Sequence, residues 1–506
     1  MLIESLLTSA ERYPDRIAVS DQIGMELTYS RLIRMAAVMK GIIEKNTNCP
    51  RVGIFLPSSV GFVMTYYGIV WAGRTAVPLN LLLHPHELKR IVADAGIDLV
   101  VTLRFPEAVA QLNHTVDQLP VPKKVYLGDL PLKRKFVTSY VWRLPRPPRV
   151  QPDDVAALLY TSGTSGDPKG VMLTHKNLDG NAHACIEHLK PDPDQRFLGL
   201  LPLFHSFGMT TMMIVPLTLG SSVYYLPRFV PAQVVRTIAQ RRSTMVYAIA
   251  SMYSALLHVK SATPEDFKSI EACISGGEAL PPALYKAWLE RFGFPLLEGY
   301  GLTETSPVVS TNQPWANRGG TAGKLLPGVE ARTIDDQGRP LPPGQVGEIV
   351  IRGDLIMKGY YNKPKETAEV IDEDGWFKTG DMGWVDAERY IAITGRKKEM
   401  IIVSGENVYP REIESVLNQH PAVAESAVIP EKVGGTRGEV PVGFVVLKEG
   451  MTTTDAELRD FCRDHLPQYK IPRVVWIAKD LPRSPIGKIL KRALNPAGPS
   501  AMDEPR

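Results

Sequence analysis

Cysteine is scarce. Cys49, Cys185, Cys273 and Cys462 are the four in 506 residues; they lie far apart and form no CxxC or Cys/His cluster. That excludes a disulfide framework and a zinc finger, and it fits a reducing compartment. An excess of one charge is lacking too. The 58 Lys and Arg against 54 Asp and Glu leave +4, spread along the chain, which removes nucleic acid and anionic membrane surfaces as general partners. Long apolar runs are missing as well: the most apolar stretch, Met209 to Leu226, is broken by Pro216 and Gly220 and is too short to span a bilayer. Met1-Leu2-Ile3-Glu4 opens no basic region followed by an apolar stretch, so no secretory signal is expected. These absences describe a soluble cytoplasmic protein that must bind any anionic ligand locally.

What is present is ordinary in amount, 44% apolar and 22% charged residues, so a folded globular chain is expected. At 506 residues it exceeds what one hydrophobic core supports, and two or more packed units follow. Through the first 150 residues, strand-like Arg51 to Leu56, Ala76 to Pro78 and Leu99 to Val101 alternate with helical Val60 to Ala72 and Pro85 to Ala95. This is the rhythm of a largely parallel sheet, so the fold class is α/β. The stretch Leu144-Pro145-Arg146-Pro147-Pro148-Arg149 is a surface connection. A second α/β unit opens with the strand Val155 to Tyr160 and repeats at Met245 to Ala250, Ala272 to Ser275 and Leu296 to Glu298.

Near Gly395-Arg396 the pattern changes to a small α+β module. It has helices at Pro410 to Gln419 and Asp455 to His465, strands at Val423 to Ile429, Val440 to Leu447 and Val474 to Ile477, and a frayed tail from Pro496. The expected organisation is a large N-terminal domain over 1–396, built of α/β subdomains with mainly parallel sheets, and a small mobile C-terminal domain over 397–506.

The strand ending at Tyr160 runs into Thr161-Ser162-Gly163-Thr164-Ser165-Gly166-Asp167-Pro168-Lys169-Gly170, dense in hydroxyls and glycines with one lysine. Glycines admit backbone N–H groups close to a polyphosphate, hydroxyls add donors and the lysine adds charge. The spacing is not that of a Walker A loop, because Gly170 rather than Ser or Thr follows Lys169.

Together with five further segments in order, this loop resembles the adenylate-forming superfamily of acyl-CoA synthetases, beetle luciferases and nonribosomal adenylation domains, from about residue 10 to residue 492. Those segments are Ser275-Gly276-Gly277-Glu278-Ala279; Gly299-Tyr300-Gly301-Leu302-Thr303-Glu304-Thr305; Trp376-Phe377-Lys378-Thr379-Gly380-Asp381; Gly395 to Glu399 with Ser404-Gly405-Glu406-Asn407; and Pro485-Ile486-Gly487-Lys488-Ile489. The resemblance implies ATP, Mg²⁺ and coenzyme A as cofactors. It places ATP phosphates at Thr161, Ser162, Gly163, Thr164 and Lys169, adenine at Gly276 to Ala279 and Gly299 to Gly301, with Tyr300 flat against the base. Asp381 and Arg396 would take the ribose, Thr303 the α-phosphate and Glu304 the Mg²⁺. Lys488 would stabilise the adenylation transition state from the mobile domain, Lys398 would be the hinge, and Ser404 and Gly405 would line the thiol channel.

These assignments make physical sense. A carboxylate and ATP are both anions, so catalysis means offsetting charge, and preorganised electrostatic stabilisation is commonly the largest catalytic term. The substrate carboxylate is already the nucleophile and needs no general base.

Within the superfamily, amino-acid-activating members carry an Asp after the Phe of Leu201 to Met209; here it is His205, as in fatty-acyl and aryl-acyl-CoA synthetases and luciferases. The expected activity is two-step acid:CoA ligation through acyl-AMP, on medium- to long-chain fatty acids. No bulky plug stands near Gly276 in sequence, and methionines supply adaptable walls. Kept beside this are an aryl-acid (coumarate-like) ligase, with Tyr253 and Phe207 stacking on a ring, a ligase loading a separate carrier protein, and a non-catalytic nucleotide-binding regulator. Partners are the small carboxylic acid, ATP and CoA; a homodimer is left open.

Overall fold

The computed structural model describes residues 1–139, 143–162, 168–403, 406–433, 438–483 and 489–498. Two mainly parallel sheets form the large part of the chain. The nine-stranded sheet runs, edge to edge, Lys324–Leu325, Val308–Thr311, Leu296–Gly301, Ala272–Ser275, Met245–Ala248, Arg196–Gly199, Ser222–Tyr225, Ile17–Asp21, Glu26–Thr28. Its strands from Leu296–Gly301 to Ile17–Asp21 are parallel, and the edge strands on both sides are antiparallel. The seven-stranded sheet is parallel from Val155–Ser162 through Thr75–Pro78, Arg51–Phe55 and Leu99–Thr102 to Lys123–Tyr126.

The helix Val60–Trp71 explains how the two sheets join. All twelve of its residues are buried, and a helix with no polar face lies inside a core rather than on one. Ser59 caps it by accepting from the Phe62 N–H at 3.3 Å, and Thr65 returns its hydroxyl to the Gly61 carbonyl at 2.7 Å. One continuous cluster of buried side chains, including Met39, Trp71, Leu159, Tyr225 and Met245, draws on both sheets.

Glu330–Ile334, Gly347–Arg352, Phe377–Val385 and Ile391–Arg396 form a four-stranded antiparallel sheet. A smaller C-terminal domain follows. There Val423–Lys432 pairs antiparallel with Glu439–Leu447, which pairs parallel with Val475–Ala478, and the domain has its own core around Ile413, Leu417, Val445 and Leu458. The α/β architecture is as expected, and Pro85–Ala95, with Pro at its start and Gly96 left-handed at its end (φ 59°), matches its sequence limits.

Three expectations need correction. The strand does not end at Tyr160, and the hydroxyl- and glycine-rich segment is not loop throughout. The strand continues to Ser162, and Pro168–Thr174 returns antiparallel to it with Lys169 opposite Thr161. Met245 to Ala250 is not one strand, because a helix begins at Ala250. The tail is docked at its start, where the Trp476 indole N–H donates to the Pro496 carbonyl at 3.0 Å and Gly498 lies against the same ring. No described helix is long and apolar enough to cross a membrane.

Candidate active site

Residues far apart in sequence meet at the carboxyl ends of Ala272–Ser275 and Leu296–Gly301, where ligands bind in open α/β sheets. Two crowded glycines and one with a left-handed backbone allow the approach. At Gly276 a Cβ would stand 2.9 Å from Phe207 Cζ, and at Gly301 it would stand 1.9 Å from the Pro307 carbonyl oxygen. Gly277 has φ +76°, a conformation that costs other residues energy.

Asp381 is the centre of the site. The cross-strand register sets it opposite Arg396; Arg396 Nε lies 2.7 Å from Oδ1, and the Asp381 side chain is 3% exposed. Tyr300 Oη donates to the other carboxylate oxygen at 2.6 Å. Thr379 Oγ1 fixes the local turn by accepting from the Asp381 N–H at 3.0 Å. Burial pushes the Asp381 carboxyl above its ordinary range, while Arg396 and Tyr300 pull it back. Burial, and then the neighbouring Asp381, push the Tyr300 phenol well up. Both Asp381 oxygens are thus engaged and oriented, as a bidentate polar recognition group requires.

A second group surrounds Tyr360. Its hydroxyl donates to Glu304 Oε1 at 2.9 Å, and Lys169 Nζ sits 4.8 Å from its ring centroid. One aromatic ring therefore has the lysine over its face and the carboxylate at its edge. Thr303 Oγ1 lies 3.1 Å from Ser206 Oγ. Glu278 Oε2 accepts from the Ser251 N–H at 3.0 Å, capping the helix Ala250–Leu257. Glu298 Oε1 accepts from the Leu280 N–H at 3.2 Å; burial pushes its carboxyl up to about 7, with Arg411 of the small domain opposing. Arg411 also acts on Asp381, and Arg483 of the small domain is close enough to feel Glu278. Charges of the small domain are thus felt at Glu298, Asp381 and Glu278.

His205 begins the short helix Ser206–Met209, half-buried, with its ring 5.1 Å from that of Phe204. Beyond it Met209, Met212 and Met213 are buried, and Phe207 packs edge-on to Tyr247. The ring of Phe207 is a bulky group against Gly276, so the expectation that none stands there is corrected. Tyr253 is also not on this wall. It is fully buried, T-stacked on Trp288 with ring centroids 5.2 Å apart, and its hydroxyl donates to the carbonyls of Val246 and Ile274.

Gly163, Thr164, Ser404, Gly405 and Lys488 lie outside the described residues. Thr161 and Lys169 lie on paired strands, Lys398 in the turn Lys397–Glu399, and Gly299 on the strand Leu296–Gly301. No sequence motif points to a role for Tyr360, Ser206 or Glu298; Tyr360 follows a glycine in Lys358-Gly359-Tyr360-Tyr361, too common a pattern to single out.

The family model for AMP-binding enzymes matches residues 6–361, and that for the AMP-binding enzyme C-terminal domain matches 412–488. A long-chain-fatty-acid–CoA ligase of Bacillus subtilis is 36% identical, over 97% of this chain and 94% of its own. A sulfoacetate–CoA ligase of Cupriavidus necator is 34% identical, over 96% and 95%. The crystal structure of ATP-bound MatB from Rhodopseudomonas palustris is 29% identical, with TM-score 0.87 over 97% of this chain and 98% of that one. The chain belongs to the AMP-binding enzyme family. Within it, the full-length likeness to CoA ligases makes this an acyl-CoA synthetase, an acid:CoA ligase.

Proposed function

We propose that the enzyme activates medium- to long-chain fatty acids: carboxylate and ATP give acyl-AMP and pyrophosphate, and the thiol of CoA then displaces AMP to give the acyl thioester. The observations that carry the choice of acid are the half-buried ring of Phe207 after His205, edge-on to Tyr247, with Met209, Met212 and Met213 following in the core, and the likeness to a long-chain-fatty-acid–CoA ligase. These side chains are apolar, and methionines repack readily around a chain.

Asp381, oriented by Tyr300 and Arg396, accepts hydrogen bonds from the ribose hydroxyls. Lys169 and Thr161 serve the phosphates, Thr303 the α-phosphate. The fully engaged Asp381 fits a nucleotide that exchanges hydrogen bonds with a prepared carboxylate. Lys488 supplies positive charge as the acid oxygen attacks the α-phosphorus and the α–β bridging oxygen leaves with pyrophosphate. Lys398 turns the small domain between the two half-reactions, and Ser404 and Gly405 then border the thiol path. The residues suit Mg²⁺ arriving on ATP: Glu304 offers one hard oxygen anion, and among the described residues no group of three or more His, Cys, Asp or Glu is arranged as a metal cage. Mg²⁺ on the phosphates would neutralise charge there.

A pyrophosphate-release screen from acetate to palmitate, with benzoates and cinnamates beside them, tests this. Each methylene buried in the transition state contributes about 0.8 kcal/mol, roughly fourfold in kcat/KM, so C8 should exceed C4 by about two orders of magnitude. A flat or falling series, or a cinnamate above every fatty acid, would defeat the fatty-acid assignment and leave the CoA ligase.

A further inference from the structure

The turn Lys397–Glu399 joins the two domains, and its first and last residues are held from opposite sides. Lys397 Nζ lies 2.9 Å from Glu348 Oε2 and 3.2 Å from Asp336 Oδ1. Glu348 sits on the strand Gly347–Arg352 of the large domain and is almost fully buried, and Asp336 follows the neighbouring strand Glu330–Ile334. One residue earlier, Arg396 is fixed to Asp381. Up to residue 397 the chain is therefore tied to the large domain.

Beyond Lys398 the ties change sides. Glu399 Oε2 lies 3.2 Å from Lys491 Nζ, which also lies 2.8 Å from Glu414 Oε1. Glu414 is on the helix Pro410–Leu417 of the small domain, and the same oxygen accepts from the Val428 N–H at 2.7 Å. The Ile402 N–H donates to Glu439 of the small domain at 3.2 Å. Lys491 in turn stands just past a closed base: Arg483 and Ile489 form an antiparallel bridge, and the Leu490 N–H donates to the Pro482 carbonyl at 2.7 Å. The segment holding Lys488 thus has its two ends joined, and the next side chain ties that base to Glu399.

We propose that Lys397 and Glu399 form a two-sided clamp that confines the turning between domains to Lys398, with Lys491 the positioning residue through which the small domain grips its side. The inference rests on the two-arrangement reading given under Proposed function. It follows from mechanics: a rotation between two bodies falls between the last side chain tied to one and the first tied to the other, and the two neighbours of Lys398 are tied to different bodies. Glu348 and Glu414, the carboxylates that anchor the two lysines, have side chains only 11% and 14% exposed, so removing either lysine leaves a mostly buried charge uncompensated and penalises slippage. Small residual motion at a hinge matters because misplacing a catalytic group by about 1 Å can cost roughly 10²-fold.

The test uses the full chain in a Cys49→Ser background with spin labels at Lys260→Cys and Glu449→Cys, exposed sites on the two domains. Distance distributions are recorded with ATP and with acyl-AMP plus CoA, beside ATP–pyrophosphate exchange and thioester formation from supplied acyl-AMP. Lys397→Met and Lys491→Met should each broaden the distributions and slow overall ligation by roughly 10- to 100-fold, although the two side chains belong to different ion-pair groups. Lys491→Arg should restore narrow distributions and most of the rate. If Lys491→Met does not fold, Glu399→Gln, which keeps the Lys491–Glu414 pair, carries the test. Distributions as narrow as the parent's in Lys397→Met and in Lys491→Met or Glu399→Gln would overturn the clamp. A parent whose distribution does not respond to either set of ligands would instead overturn the two-arrangement reading.

Discussion

Replacing Glu298 by Gln should make the protein's stability less sensitive to pH on the neutral side of acidity, in a direction the structure dictates. The native carboxyl is pushed up to about 7 by burial, from an ordinary 4.5. A group with a raised native pKa stabilises the fold fully below its unfolded pKa, and that contribution is lost as pH rises through the native value. Between about pH 4.5 and 7 the folded parent holds a proton that the unfolded chain has released, so the parent loses stability over that interval and is level above it. The two values are separated enough for a loss of roughly 3 kcal/mol. Glutamine keeps an oxygen for the Leu280 N–H, whose bond to Glu298 is 3.2 Å, but has no charge to bury. At about 2.1 cal/mol/K per residue, unfolding this chain carries an entropy near 1 kcal/mol/K. The difference in Tm, variant minus parent, should therefore rise by about 3 °C from pH 5 to pH 8. Thermal melts across that range check it. A difference that does not change with pH would show that Glu298 titrates normally in the native state and that its burial has been misjudged.

Tyr300→Phe removes the donor to Asp381 Oδ2; it should raise the KM for ATP several-fold with a smaller effect on kcat, whereas Asp381→Asn should cost more, both measured by pyrophosphate exchange. Glu304→Gln should preserve the fold and cut adenylation sharply, most severely at limiting Mg²⁺; an unchanged Mg²⁺ dependence would remove Glu304 from that role. Lys488→Ala should lose adenylation by roughly 10²-fold or more while still converting supplied acyl-AMP and CoA to thioester, and equal loss of both steps would refute the division of labour. Phe207→Ala should shift the chain-length optimum in the acid screen toward longer or bulkier acids, and an unmoved optimum would place Phe207 outside the acyl path.

Much of the fold was legible because its signals are local. The helix Pro85–Ala95 carries its start and stop in its own residues, and the strands Ala272–Ser275 and Leu99–Thr102 are unbroken buried runs, as parallel strands covered on both faces should be. What escaped depends on partners distant in sequence. Nothing between Tyr160 and Gly170 says that the chain folds back on itself; the return strand shows only in its pairing, with Val155–Ser162 on one side and Gly359–Tyr360 on the other. The same holds within the site. Motifs named Tyr300, Asp381 and Arg396 separately; the register of one antiparallel pair sets Arg396 opposite Asp381, and Tyr300 reaches the same carboxylate from a strand of another sheet. Tyr253 and Phe207, both aromatic and both near glycines or small residues, could not be told apart until one proved to be inner core and the other wall. Tyr360 carries no motif, and its importance lies in touching both Lys169 and Glu304.

The wholly buried helix Val60–Trp71 bears on how such an enzyme can be recombined. Its twelve residues contribute to a core that both large sheets share, so neither sheet retains a finished interior if the other is exchanged for that of a relative. A crossover inside this region would pair two surfaces that never co-evolved, and the mismatch would fall on Phe62, Tyr66 and Trp71, among the largest fully buried side chains. The small domain carries its own interior and follows the short turn Lys397–Glu399. It is the natural unit of exchange, and chimeras cut between Arg396 and Ile401 should inherit acid preference from the large partner alone.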